Sequence, residues 1–165
     1  MSDSESRTHD ELLIELYRST LPEIYGYLLR RVGGHRADAE ELTQETYMAY
    51  VAAVRNGEEI AHPAGWLQTV ARNKLVDHLR RKGRASNYLQ RSDPADPVIH
   101  PSRTEAESIL HRLPASQRTA MILRYLDDLP VAQVAALMGR SLHSTESLLG
   151  RARRTLAASL EDELR

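Results

Sequence analysis

The chain has 165 residues, 41% of them apolar and 27% charged, with a formal net charge of −1 and no cysteine. That length holds one domain or two small ones. The missing cysteine excludes a disulfide framework and a thiolate metal site, and no apolar run approaches the ~20 residues that a membrane span needs.

The first thirteen residues, "MSDSESRTHDELL", are acidic and polar, without the apolar core of a signal peptide. A cytoplasmic location is therefore expected. The balanced total hides a charge pattern. Residues 1–60 carry 12 acids and 6 bases, residues 61–92 carry 1 acid and 7 bases, and residues 93–165 carry 10 acids and 9 bases. An acidic block followed at once by a basic one points to two faces with different partners.

"ELLIELYRSTLPEIYGYLLRRV" repeats apolar residues at spacings of three and four, which predicts a helix that Gly33-Gly34 ends. "RADAEELTQETYMAYVAAVRNG" predicts a second helix, stopped at Asn56-Gly57. It sets Asp38, Glu41 and Glu45 on one face, with Gln44 on its flank. Clustered acids on a helix are a solvated face or the dock for a basic partner. Acid–base or metal chemistry is set aside, because no His completes a metal spacing and the seven histidines are scattered.

"AGWLQTVARNKLVDHLRRKGR" predicts a third helix with Pro63 near its start and Gly83 near its end. Leu67, Val70, Ala71, Leu75 and Leu79 form its expected buried stripe. Arg72, Lys74, Arg80, Arg81, Lys82 and Arg84 are placed to track phosphates, which would make binding salt-dependent. Asn73 is a short amide in this basic face, able to read a base edge. Asp77 is spaced to pair with Arg81 or Lys74. Trp66 is read as core.

From about residue 83 to 102 the chain turns polar, with three prolines and no period, and reads as a flexible linker. The expected fold is all-α: a helical domain over 1–82, the linker over 83–102, and a second helical domain over 103–165. Within the latter, "LPVAQVAALMGRSLHSTESLLGRARRTL" has the build of a helix-turn-helix. Gly139 supplies the turn, and small Ala135 sits where two helices approach. At about 100° per residue, Leu142, Thr145, Leu148, Leu149, Ala152 and Leu156 fall on one side of the second helix. His143, Ser147, Gly150, Arg151 and Arg154 fall on the other, with Ser144 at the border. Short polar side chains can approach base edges, and arginines can reach phosphates or guanine. Glu146, at the edge of this face, would repel phosphates or accept a hydrogen bond from cytosine N4.

"RADAEELTQETYMAYV", "GWLQTVARNKLVDHLRR" and "LPASQRTAMILRYLDDLPVAQVAALMGRSLHSTESLLGRARRTL", in this order and spacing, strongly resemble bacterial extracytoplasmic-function (ECF) RNA polymerase sigma factors of the sigma-70 family. The resemblance covers nearly the whole chain. It implies that Asp38, Glu41, Gln44 and Glu45 dock on the clamp helices of the largest subunit of core RNA polymerase. It implies that the third helix melts and reads the minus-10 element, with Asn73 as base reader, Arg72 and Lys74 as its neighbours, and Arg80 and Arg81 on the DNA backbone. The helix-turn-helix would read the minus-35 element through His143, Ser144, Ser147, Arg151 and Arg154. The partners implied are core polymerase, promoter DNA and an anti-sigma factor, with no cofactor, metal, small-molecule substrate or catalysis. Two other readings stay open. An autonomous helix-turn-helix regulator leaves the acidic and basic helices unexplained. A sigma-mimicking module has no need of the DNA-facing arginines.

Overall fold

The computed structural model describes residues 2–89 and 109–163, with side chains over 9–83 and 109–162. Residues 90–102 of the expected linker, and 103–108 after it, lie outside the described residues. Every regular element among the described residues is helical. The chain packs as two compact units, one up to Leu75 and one from Val76 onward.

In the first unit, α1 (Ser2–Arg31) is followed by α2 (Arg36–Arg55), and the first half of α3 (Pro63–Leu89) completes it. α1 ends where the sequence predicts. Gly33 and Gly34 take φ of 69° and 81°, and the Gly34 N–H donates to the Leu29 carbonyl at 2.8 Å, closing the last turn as a left-handed C-terminal cap does. α2 ends in the same way: Gly57 has φ 81°, and Glu58 N–H reaches back to the Ala53 carbonyl. Ile24 and Leu28 of α1, Ala39, Leu42 and Thr46 of α2, and Leu67, Ala71 and Leu75 of α3 are all buried. The Thr46 hydroxyl is satisfied inside that core by the Leu42 carbonyl, at 2.7 Å. Trp66 is half-buried, its ring meeting Tyr50 edge-on at 5.6 Å.

α3 runs on through Gly83 to Leu89, so the helix continues into the stretch read as linker. A helix-interior glycine costs about 1 kcal/mol, which context overrides here. A Cβ at Gly83 would stand 3.0 Å from the Ala115 side chain, so glycine at this place serves close packing.

The second unit holds α4 (Ala115–Met121), which widens into a π-helical turn over Ile122–Leu126, then α5 (Val131–Met138) and α6 (Leu142–Glu163). Its core joins Val76 to Leu113, Leu123, Val134, Leu148 and Ala152. α5 and α6 form the expected helix-turn-helix. Gly139 caps α5 at φ 62°, ψ 38°, a left-handed conformation that costs an L-residue ~1–2 kcal/mol. The Arg140 N–H closes onto the Ala135 carbonyl at 3.0 Å. Ser141 opens α6: its Oγ accepts from the Ser144 N–H at 3.1 Å, satisfying one of the unpaired donors at a helix start. Ala135 is buried, as a close helix approach demands.

Candidate polymerase and nucleic-acid interfaces

α2 keeps its apolar side inward and its acids outward. Glu41 and Gln44 are exposed, while Asp38 and Glu45 are half-buried. Met48 continues the same face at 68% exposure. Met48 is apolar and escapes a search for clustered acids, although its distances of three, four and seven residues from Glu45, Gln44 and Glu41 put it there. The Glu45 carboxylate takes the Lys74 ammonium of α3 at 3.5 Å, each side chain about one third exposed. Lys74 therefore pairs with Glu45 rather than with Asp77.

The buried stripe of α3 holds at Leu67, Ala71 and Leu75, and is widened by Val76 and His78; Val70 and Leu79 are half-buried. The candidate minus-10 residues do not form one face. Asn73 and Arg81 are exposed, but Arg72 lies 100° around the helix from Asn73 and is half-buried. Arg80, in the second unit, is also half-buried, and its guanidinium donates to the Leu137 carbonyl at the end of α5. A Cβ on Gly139 would come within 3.3 Å of that guanidinium. Lys82 is exposed, and the Arg84 side chain lies outside the described residues.

On α6 the two faces separate. Thr145, Leu148, Leu149 and Ala152 are buried, and Leu156 packs on the core. Leu142, the first residue of the helix, departs from the expected pattern at 51% exposure. His143, Glu146, Ser147, Arg151 and Arg154 are exposed, and with Gly150 they line one open recess. Ser144 sits at the border and accepts from the Arg140 guanidinium at 3.3 Å.

This face combines short polar side chains at its amino end with two arginines, one and four residues beyond Gly150. Such a surface can hydrogen-bond base edges and neutralise phosphates. No group of three or more metal-ligating side chains occurs among the described residues, and no helix there is long and apolar enough to cross a membrane.

Comparison with known proteins gives this arrangement a family. Residues 16–85 match Sigma-70 region 2, and residues 103–156 match Sigma-70, region 4. The chain is 33% identical over 162 residues to the ECF RNA polymerase sigma factor BldN of Streptomyces coelicolor, covering 91% of this chain and 61% of that protein. It thus spans about three fifths of BldN's length. It is 31% identical over 153 residues to the ECF RNA polymerase sigma factor SigM of Bacillus subtilis, covering 87% of this chain and 92% of that one. Among solved structures, the sigma factor RpoE of Bartonella quintana, crystallised with the anti-sigma factor NepR, is similar with a TM-score of 0.56 at 25% identity. That match covers 88% of this chain and 94% of RpoE. With both regions present in order and a relative matched over nine tenths of its length, the chain belongs to the ECF RNA polymerase sigma factors.

Proposed function

We propose that this protein is a promoter-recognition subunit that joins core RNA polymerase, reads and opens promoter DNA, and catalyses nothing itself. Residues 1–82 form its polymerase-docking and minus-10-reading domain, and residues 103–165 its minus-35-reading domain. Core polymerase takes the α2 face through Asp38, Glu41, Gln44 and Glu45. Asn73 reads a base of the minus-10 element, and Arg72, Lys74, Arg80 and Arg81 hold the strand around it. His143, Ser144, Ser147, Arg151 and Arg154 read the minus-35 element in the major groove.

The observation that carries this reading is the presence, in one chain, of an outward acidic helix face and a separate outward polar-basic face on a helix-turn-helix. An autonomous regulator has use for the second and none for the first. The likeness to RpoE, solved with its anti-sigma factor, supports a protein inhibitor as a further partner.

The test is binding of purified core polymerase to labelled protein. Glu41→Lys and Gln44→Ala together should weaken binding at least tenfold, a loss of about 1.4 kcal/mol, with the helical circular dichroism unchanged. Unaltered affinity would remove this face from the interface.

A further inference from the structure

We propose that Gly150 is a positioning residue where the sugar–phosphate backbone of duplex DNA comes closest to α6, with Arg151 and Arg154 flanking one phosphate. The proposal rests on the reading of α6 as the DNA-contacting helix.

Gly150 stands inside a 22-residue helix, where glycine costs about 0.5–1 kcal/mol relative to alanine. Most other glycines have a reason within the chain. Gly33, Gly34, Gly57 and Gly139 take positive φ. A Cβ at Gly83 would press on Ala115 at 3.0 Å, whereas one at Gly26 would meet only the flexible tip of Arg30, at 3.3 Å. Gly65, which has open space around it, lies in the first turn of α3. Gly150 has none of these reasons. Its φ is not positive, and a Cβ there would meet only the Arg153 and Arg154 guanidinium tips, at 3.9 Å. That is ordinary van der Waals contact. Among the described residues, nothing inside the protein asks for glycine at this position.

What lies outside does. At 100° per residue Gly150 falls 40° from Glu146 on one side, and 20° from His143 and 40° from Arg154 on the other, within the exposed face. It forms part of the open recess bounded by Glu146 and Ser147 toward the amino end and by Arg151 and Arg154 toward the other. A missing side chain within an exposed helix face lets another backbone come closer than any other residue would allow. The group that enters is fixed by its neighbours. Two exposed arginines select an anion. The Glu146 carboxylate keeps that anion at the arginine end of the recess. A DNA phosphate meets both conditions, and its approach would bring His143 and Ser147, one to two turns earlier, to the base edges.

The test uses the full-length protein and a labelled 30-base-pair duplex of arbitrary sequence, because a phosphate contact is independent of sequence. Gly150→Ala and Gly150→Leu are compared with Arg151→Ala and Arg154→Ala, with affinity measured across a salt series. Gly150→Ala should raise the thermal midpoint while weakening binding. Gly150→Leu should weaken it by roughly tenfold and lower the slope of log affinity against log salt by about 1, the loss of one phosphate contact. Unchanged binding in both Gly150 variants, beside weakened binding in both arginine variants, would overturn the proposal and spare the reading of α6. Weaker binding with an unchanged salt slope would overturn the phosphate assignment. Unchanged binding in all four variants would remove α6 from the DNA interface altogether.

Discussion

Lys74 and Glu45 face each other at 3.5 Å, each about one third exposed, although the proposed function sends one to DNA and the other to polymerase. Their gross Coulomb attraction is about 5 kcal/mol at an effective dielectric near 20. Desolvation and the entropy of fixing two long side chains offset most of that, so pairs this exposed retain ~0.2–1 kcal/mol. A double-mutant cycle of Lys74→Met, which keeps the apolar stem, and Glu45→Gln, which keeps the shape, should therefore give a coupling of about 0.5–1 kcal/mol. Urea unfolding followed by fluorescence of Trp66, the sole tryptophan, reads the unit that holds the pair. The coupling should shrink by about half or more in 0.5 M salt, where the screening length approaches the pair distance. The functional consequence has a sign. Polymerase must take Glu45 from Lys74, so Lys74→Met should tighten core binding about two- to five-fold while weakening capture of single-stranded minus-10 DNA. A coupling of zero, or one indifferent to salt, would refute the pair. Weaker core binding by Lys74→Met would refute the competition.

Three further outcomes are expected. Burial pushes the Tyr47 phenol above its ordinary range, against the opposing Thr20 hydrogen bond and with a smaller push from Tyr17. The folded state thus holds the proton to higher pH than the unfolded chain, and this contribution, full below pH ~10, is lost as pH rises through the folded value. Tyr47→Phe should flatten that alkaline fall in a urea titration. It should cost ~0.5–1.5 kcal/mol at neutral pH for the 2.7 Å bond to Thr20, because Thr20 keeps its bond to the Leu16 carbonyl. Gly139→Ala should destabilise the helix-turn-helix by ~1–2 kcal/mol for its left-handed φ, with Gly139→Asn milder, as read by thermal denaturation. Asn73→Ala should reduce opening of the cognate minus-10 element more than of unrelated sequence, as measured by permanganate reactivity; equal loss on both would make Asn73 structural.

Much of this was legible in the sequence, because the deciding signals were local. Gly33-Gly34, Gly57 and Gly139 end helices because positive φ is a property of one residue, and the wheel of α6 sorts Thr145, Leu148 and Ala152 inward by spacing alone. What stayed hidden depended on chain distance or on competition. The pairing of Lys74 with Glu45 spans 29 residues, and nothing local selects Glu45 over Asp77. The bond from Arg80 to the Leu137 carbonyl is longer-range still, at 57 residues. Propensity favours a stop at Gly83, and packing against Ala115 overrides it. Arg72 is different. Its displacement from Asn73 follows from helical arithmetic, but reading the basic run as a charge cluster obscured it.

The most direct measurement is run-off transcription with core RNA polymerase from the source organism, with and without this protein, on its own upstream region and on a pool of genomic fragments. The account predicts transcripts that appear only with the protein, start downstream of shared minus-35 and minus-10 elements, and fall when Glu41 is reversed to Lys. Failure of the protein to bind core polymerase, together with specific binding to its own upstream duplex in the absence of polymerase, would contradict it and favour an autonomous regulator.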